Sequence, residues 1–209
     1  MAGRRDLALP KARVSAPPAP PLLLASRSPQ RRAILEQLGI PFEPVVPHYE
    51  EEPTGADPVA EVERRAHGKA RSVAGVAGDR PVLGVDTEVV LAGRVYGKPA
   101  DEAEAETMLE QLSGKTHEVV SGLCLVTPAW EELHHAVTRV SFRPLTPREL
   151  GLYVVSDEWR ERAGGYAIQG LGAALVERIE GDYLNVVGLP AALLVDRLAE
   201  RFPGVYGFG

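Results

Sequence analysis

The feature that most constrains this chain is a largely apolar run at residues 81–91 that carries a carboxylate, Asp86, in its middle. A valine-rich run of this length is typical of a strand buried on both faces of a sheet. A buried charge is costly unless a cation, a metal or good hydrogen bonds accompany it, so Asp86 needs a counter-charge close by. Lys98, which follows after a short turn, is the nearest candidate along the chain. An Asp that merely caps a neighbouring loop would give the same pattern, and the residues alone leave both interpretations open.

Length and composition indicate a globular protein and argue against nucleic-acid binding. The chain has 209 residues, 44% of them hydrophobic, which is enough for one α/β domain or two small lobes. The net charge of -6 argues against binding to the nucleic-acid backbone, whereas single nucleotides need only a few local cations. The single cysteine, Cys124, cannot form an internal disulfide, which predicts a reducing, cytoplasmic setting. No apolar stretch approaches the roughly 18 uncharged residues of a membrane helix, so no membrane partner is expected.

The first residues differ in composition from the rest of the chain. Residues 1–20 combine basic side chains with a proline-rich stretch that can neither form a helix nor bury much surface. This composition predicts a disordered N-terminal extension over residues 1–20, followed by one domain over residues 21–209. A transit peptide is the alternative, which Asp6 and the prolines disfavour.

A short strand at residues 22–25 leads directly into a helix start. Ser28 is a good N-cap and Pro29 suits the first helical position. Free backbone N–H groups and the helix dipole attract anions there, and Ser26 and Ser28 with Arg31 and Arg32 add donors and charge. Together they predict a phosphate cradle. The alternative is an ordinary capped surface helix whose arginines are solvated.

Three further segments carry candidate groups. A carboxylate-rich loop, residues 50–52 with Glu51 at its centre, could hold a hard divalent cation or could simply be solvated. On a predicted helix starting at Pro58, Lys69 lies on or beside the buried stripe, from which its ammonium could reach an anion or extend to solvent. A glycine-rich loop at residues 163–172 carries Gln169, whose amide can donate and accept toward a base edge, although tight turning alone would explain the glycines.

Two common nucleotide-binding motifs are absent. Gly114-Lys115-Thr116 is not a Walker loop, because the glycine that such a loop needs is missing and the helix precedes the strand. No G-x-G-x-x-G sequence exists either, which argues against a dinucleotide enzyme. The remaining set is a buried carboxylate, an acidic loop, several cations and a helix N-terminus. It suits polyphosphate cleavage, in which cations and a metal neutralise phosphate charge while a carboxylate activates water.

These segments, in this order and spacing, resemble a known family. From residue 22 to residue 202 the chain is similar to the Maf-like nucleoside triphosphate pyrophosphatases. The motifs that carry the resemblance are ASRSPQRR at 25–32, EE at 50–51, GVDT at 84–87, GKP at 97–99, LSGKTH at 112–117, AGGYAIQG at 163–170 and VGLP at 187–190.

The resemblance implies an α/β fold with an elongated mixed β-sheet flanked by helices. It further implies two lobes around a central cleft, related to inosine triphosphate pyrophosphatases, and a cytoplasmic homodimer. The implied reaction cleaves a nucleoside triphosphate to the monophosphate and pyrophosphate with a divalent metal cation such as Mg, Mn or Co. Asp86 would be the proton acceptor and, with Glu51, a metal ligand. The phosphate contacts would be Arg31, Lys69 and Lys98, the last also counted among the catalytic residues.

Two positions bear on the base that the enzyme accepts. Thr87 and Gln169 resemble the branch that cleaves dTTP and UTP, whereas Gln and Glu at those places mark the 7-methyl-GTP branch. The family's usual Arg after the Ser-Pro is Gln30 here, at a position linked to specificity. The expected substrates are therefore dTTP and UTP, with modified pyrimidine nucleotides as a further class. The alternative substrate is 7-methyl-GTP. The alternative function is that of a non-hydrolytic, nucleotide-binding regulator of septum formation.

Overall fold

The computed structural model describes residues 19–50, 54–55 and 57–209. Residues 1–18 of the predicted extension, and Glu51 in the acidic loop, lie outside these ranges. At the start of the described chain, the Tyr206 hydroxyl donates to the Pro20 carbonyl oxygen at 2.9 Å.

Seven strands form one mixed sheet in the order β2-β1-β3-β5-β6-β7, with β4 paired to β3. Strand β1 runs parallel to β2 and β3, and every other pairing is antiparallel. The predicted mixed α/β sheet is confirmed. The strands are β1 Leu22–Ala25, β2 Phe42–Val45, β3 Val82–Leu91, β4 Arg94–Tyr96, β5 Thr116–Val126, β6 Glu131–Phe142 and β7 Val176–Glu180.

Six α-helices in the described chain flank this sheet, and local capping explains where several of them begin. Asp57, Asp101 and Thr146 each accept hydrogen bonds from backbone N–H groups of the first helical turn. The helices are α1 Pro29–Gln37, α2 Pro58–Ala74, α3 Glu102–Leu112, α4 Pro147–Val154, α5 Tyr183–Val187 and α6 Ala191–Arg201.

Two strand predictions needed correction. Alternating apolar and polar residues predict a strand over residues 137–143. Strand β6 begins earlier, at Glu131, because β5 is long enough to pair with polar residues that have little strand tendency of their own. After the glycine-rich loop the sequence predicts a strand over residues 173–179. Strand β7 begins only at Val176, because Gly170–Leu175 forms a 3₁₀ helix. A second 3₁₀ helix, Ala163–Gly165, lies earlier in the glycine-rich loop.

The two faces of the sheet bury different helices. On one face, Val82 and Ala70 belong to an apolar cluster beneath α2. On the other face, Leu83 and Val85 pack with residues of α1 and α6. Beyond them a separate cluster joins Val89 to α3 and α4. Strands β3 and β5 therefore pass through two packed regions, which agrees with the predicted lobes.

The edge of β3 between these regions has no strand neighbour in the described chain. On that side β1 pairs with β3 as far as Gly84, and β4 pairs with it only from Val89 onward. The intervening residues 85–88 pair with β5 alone. Their outer backbone edge is open, and it contains Asp86 and Thr87.

The apolar cluster that joins Val89 to α3 and α4 surrounds a histidine that burial keeps neutral. His117 on β5 is 1% exposed, and its Nε2 lies 2.8 Å from the Tyr166 hydroxyl. Its ring packs edge-on against Phe142 and Tyr166. Burial lowers the pKa of His117 from 6.5 to about 4.

Protonation of His117 should weaken the fold as the pH falls. Between pH 6.5 and about 4 the unfolded chain binds a proton at this residue while the folded chain does not. The free energy of unfolding should therefore fall about 2 kcal/mol further between pH 7.5 and pH 5 in the wild type than in His117→Gln. Urea unfolding at the two pH values measures this. His48→Gln, in an exposed loop, should follow the wild type, and an equal slope in His117→Gln would contradict the assignment.

Candidate functional site

Asp86 and Thr87 occupy the open edge of β3 on opposite faces of the sheet. Successive strand residues point to alternate faces. Asp86 accordingly contacts Lys69 of α2, and Thr87 contacts Arg31 of α1 and the Gly188 carbonyl oxygen that follows α5. The site is therefore built from both faces around one strand edge.

Helix α2 supplies the counter-charge of Asp86. Lys69 Nζ lies 2.5 Å from Asp86 Oδ1, and Arg65 Nη1 lies 3.7 Å from Oδ2. Asp86 and Lys69 are 5% and 7% exposed, so the pair is buried. The prediction that Lys69 lies on the buried face of its helix is confirmed, and a purely solvated ammonium is ruled out.

Two glycines allow α2 to lie close enough for this contact. Gly84 precedes Asp86 by two residues on the same face of β3. Gly122 on β5 is the cross-strand partner of Asp86. A side-chain carbon added at Gly84 would overlap the Ala66 carbonyl oxygen, and one at Gly122 would overlap that of Val62. The α2 backbone thus rests directly on the sheet beside Asp86.

The expectation that Lys98 is the counter-charge of Asp86 is wrong. Lys98 Nζ pairs with Glu161 Oε2 at 2.6 Å, and both side chains are largely exposed. Their hydrogen bond lowers the pKa of Glu161. Lys98 follows β4, which joins β3 only beyond the open edge, whereas α2 crosses β3 at Asp86 itself. Proximity in sequence therefore indicated the wrong lysine.

A second set of buried carboxylates extends the site, and sequence reasoning missed it. Glu88, two residues after Asp86 on the same face, forms an ion pair with Arg65, whose Nε also lies 3.0 Å from Glu61 Oε1. Burial raises the pKa of Glu88, while a hydrogen bond from Arg64 lowers the pKa of Glu61 to about 2. The available signal was spacing: residues 61, 65 and 69 share one helix face, and 86 and 88 share one strand face.

The start of α1 has the predicted cap. The Ser28 hydroxyl accepts a hydrogen bond from the Arg31 N–H, with Pro29 in the first turn. Arg31 is 9% exposed, and it is directed inward rather than to solvent. Its Nε donates to the Gly188 carbonyl oxygen at 2.9 Å, its Nη1 to Ser26 Oγ at 3.2 Å and its Nη2 to Thr87 Oγ1 at 3.3 Å. A solvated surface arginine is therefore excluded at this position.

A pocket of about 220 Å³ lies between α1 and α5. It brings together Gln30 and Gln169, which are 139 positions apart in the chain, and the Ser28 hydroxyl donates to Gln30 Oε1 at 3.0 Å. The lining also includes Gln37, Tyr183, Leu184 and Val187. A larger pocket near Trp130 is lined by none of the predicted site residues.

The metal ligands are only partly defined. Within residues 19–50, 54–55 and 57–209 no cluster of three or more His, Cys, Asp or Glu side chains is arranged to hold a metal ion. Asp86 Oδ2 and Glu88 Oε2 are nevertheless buried oxygens without a hydrogen-bond partner there. A carboxylate oxygen of this kind suits a hard divalent cation, so Asp86 fits as one ligand. Glu51, the other expected ligand, is outside the described residues.

Comparison with known proteins identifies the family. The family model described as Maf-like protein matches residues 21–201. The chain belongs to the Maf-like protein family. This Maf-like protein is 47% identical to a dTTP/UTP pyrophosphatase of Deinococcus radiodurans over 91% of its own length and 97% of that protein. It is 48% identical to proteins of the same name from Symbiobacterium thermophilum, covering 86% of this chain and 93% of the relative, and from Moorella thermoacetica, covering 89% and 97%.

Among solved structures, the Staphylococcus aureus Ham1 protein aligns with 59% of this Maf-like protein and 72% of that chain, with a TM-score of 0.44 and 16% identity. The relation to inosine triphosphate pyrophosphatases stays a prediction. In the described part of the Maf-like protein, every helix is too short or too polar to cross a membrane.

The two lysines expected to contact phosphate should differ in their effect on stability. Lys69→Met leaves the buried Asp86 without its nearest cation and should lower the free energy of unfolding by about 3 kcal/mol. Lys98→Met removes only an exposed ion pair and should cost less than about 1 kcal/mol. Urea unfolding of the two variants beside the wild type measures both. Equal costs would show that Lys69 does not carry the charge compensation of Asp86.

Proposed function

We propose that this Maf-like protein hydrolyses nucleoside triphosphates to the monophosphate and pyrophosphate. The observation that carries the proposal is Asp86, a buried carboxylate at the open edge of β3 with a cation on one oxygen and no hydrogen-bond donor within the described chain on the other. The names of relatives 46–48% identical over most of the chain support it.

Asp86 is the proton acceptor in this proposal. Lys69 fixes the carboxylate through Oδ1, and Oδ2 has lone pairs that can accept the proton of an attacking water. Water then attacks the α-phosphorus, and pyrophosphate leaves with the electrons of the cleaved P–O bond. Because Asp86 is held in one orientation, little reorganisation accompanies the proton transfer.

A divalent cation, Mg, Mn or Co, is part of the proposal. Asp86 and Glu51 would hold it, and when bound it neutralises phosphate charge and lowers the cost of bringing water to the triphosphate. Ser26, Ser28 and the first turn of α1, with Arg31, Lys69 and Lys98, supply the donors and cations for the phosphates.

The pocket between α1 and α5 suits the base. The edge of uracil or thymine presents a carbonyl oxygen, an N–H and a second carbonyl oxygen, and the Gln169 amide can both donate to and accept from such an edge. Gln30 lies across the same pocket with its own amide oxygen bonded to Ser28. We therefore propose dTTP and UTP as substrates, with Thr87 as a further contributor to base preference. We further propose a cytoplasmic homodimer, as the family resemblance implies.

A nucleotide panel tests the reaction and its specificity. With Mg or Mn ions, the purified protein should release pyrophosphate from dTTP and UTP at higher kcat/KM than from 7-methyl-GTP. Separation of monophosphate, pyrophosphate and orthophosphate identifies the bond that is cleaved. Orthophosphate as the first product would refute the proposal. Tight nucleotide binding without turnover would favour the regulatory function instead.

Asp86→Asn should separate binding from catalysis. The substitution keeps the shape of the side chain but removes its capacity to accept a proton, so kcat should fall about a thousandfold while the affinity for nucleotide changes little. Asp196→Asn, an exposed position on α6, is the matched control and should retain wild-type kinetics. Near-normal turnover in Asp86→Asn would transfer the role of base to another group.

A further inference from the structure

The hydroxyl groups of Thr87 and Ser121 form a pair beside the groups proposed to bind the base and the phosphates. Thr87 on β3 is the register partner of Ser121 on β5, and their oxygens lie 2.9 Å apart. Ser121 is fully buried. Thr87 also accepts from Arg31 Nη2 at 3.3 Å and lies 3.4 Å from the Gly188 carbonyl oxygen.

The direction of these hydrogen bonds follows from counting protons. Each hydroxyl has one proton to donate. Among the residues described, Ser121 has Thr87 as the partner of its side chain, so the buried Ser121 proton is satisfied only if Ser121 donates to Thr87. Thr87 then accepts from both Ser121 and Arg31, and its own proton is directed to the Gly188 carbonyl oxygen. The reverse direction would leave the Ser121 proton buried without an acceptor.

The hydrogen bonds from Ser121 to Thr87 and from Thr87 to the Gly188 carbonyl oxygen form a relay. The Gly188 carbonyl oxygen connects this relay to the pocket between α1 and α5, which is the base pocket of the proposed function. It accepts from Arg31 Nε at 2.9 Å as well as from Thr87. Gly188 caps the C-terminus of α5 at a φ of 132°, which favours glycine. The preceding turn contributes Leu184 and Val187 to the pocket wall. Thr87 itself does not line that pocket, so its influence on the base is transmitted through Gly188 and Arg31.

Arg31 is the group that the relay helps to orient. Three of its nitrogens are directed to acceptors on three different segments: the residue after β1, strand β3 and the end of α5. A planar guanidinium held this way has one orientation, and phosphate recognition by arginine depends on that orientation. An error of about 1 Å in such a group is enough to weaken binding and catalysis.

We propose that Ser121 is a positioning residue of the site. Through Thr87, its buried hydroxyl fixes Arg31 and the Gly188 carbonyl oxygen, and so couples the phosphate-binding end to the base pocket. The inference rests on the proposed function for the identity of the ligand, a nucleoside triphosphate. It extends the site to a residue of β5 that touches neither phosphate nor base.

The test compares three serine variants. Ser121→Ala removes the donor and should lower kcat/KM for UTP and dTTP about tenfold, mainly through KM. Ser121→Thr keeps the hydroxyl on a residue that suits a strand and should restore kcat/KM to within about threefold of the wild type. Ser141→Ala is the matched control, because Ser141 forms the same kind of hydroxyl pair with Thr116, at 2.8 Å, on the exposed part of β5 and β6. It should be unchanged.

A double variant distinguishes the relay from simple packing. If Ser121 acts through Thr87, adding Ser121→Ala to Thr87→Val should produce little further loss in kcat/KM. Thermal unfolding of each variant shows whether any loss follows from instability. Wild-type KM and kcat in Ser121→Ala, or a loss that Ser121→Thr does not restore, would overturn the proposal.

The affinity for α,β-methylene-UTP separates this inference from the proposed reaction. The analogue cannot be cleaved between the α and β phosphates, so calorimetric titration measures nucleotide binding without turnover. About tenfold weaker binding by Ser121→Ala supports the relay even if the wild type proves inactive. Equal affinities for wild type and variant refute it even if the wild type hydrolyses UTP, and no binding by the wild type refutes it as well.

Discussion

On the edge opposite β5, strand β3 has a strand neighbour within the described residues except over four residues, 85–88, and those four include Asp86 and Thr87. Because β1 ends at Ala25 and β4 begins pairing only at Val89, the backbone between them remains open to a ligand. The alternation of a strand then presents one functional side chain to each face. In the described part of the chain no other strand covers this edge, so helices on both faces reach side chains of the same short segment.

The buried charges impose the second constraint. Three carboxylates, Glu61, Asp86 and Glu88, lie beside the cations of one face of α2. Their burial is possible because Gly84 and Gly122 let the helix backbone rest on the sheet, which brings the ammonium of Lys69 to Asp86. At one end of this set burial raises the pKa of Glu88, and at the other the hydrogen bond from Arg64 lowers the pKa of Glu61.

On the opposite face, the contacts that orient Arg31 within the described residues are with neutral groups. Arg31 is held by a serine hydroxyl, a threonine hydroxyl and a backbone carbonyl oxygen, so its charge is not neutralised by these three contacts. In the proposed reaction Asp86 accepts a proton and Arg31 binds phosphate, and each side chain is held in one orientation by its contacts. Thr87 connects the two faces of the site because it is adjacent to Asp86 in sequence and accepts a hydrogen bond from Arg31.

The sequence by itself determined the features that depend on neighbouring residues: the Ser28 cap, the start of α2, the buried run of β3, the placement of Lys69 on the inner helix face and the family motifs. The tertiary structure alone decided which groups meet. Lys69 rather than Lys98 reaches Asp86, Arg65 joins Glu61 to Glu88, and Ser121 supports Thr87. The tertiary structure also decided that β6 begins at Glu131 and that Gly170–Leu175 forms a 3₁₀ helix and not a strand. Caps and periodicity are local and can be read along the chain, whereas ion pairs, cross-strand partners and strand ends depend on how distant segments pack.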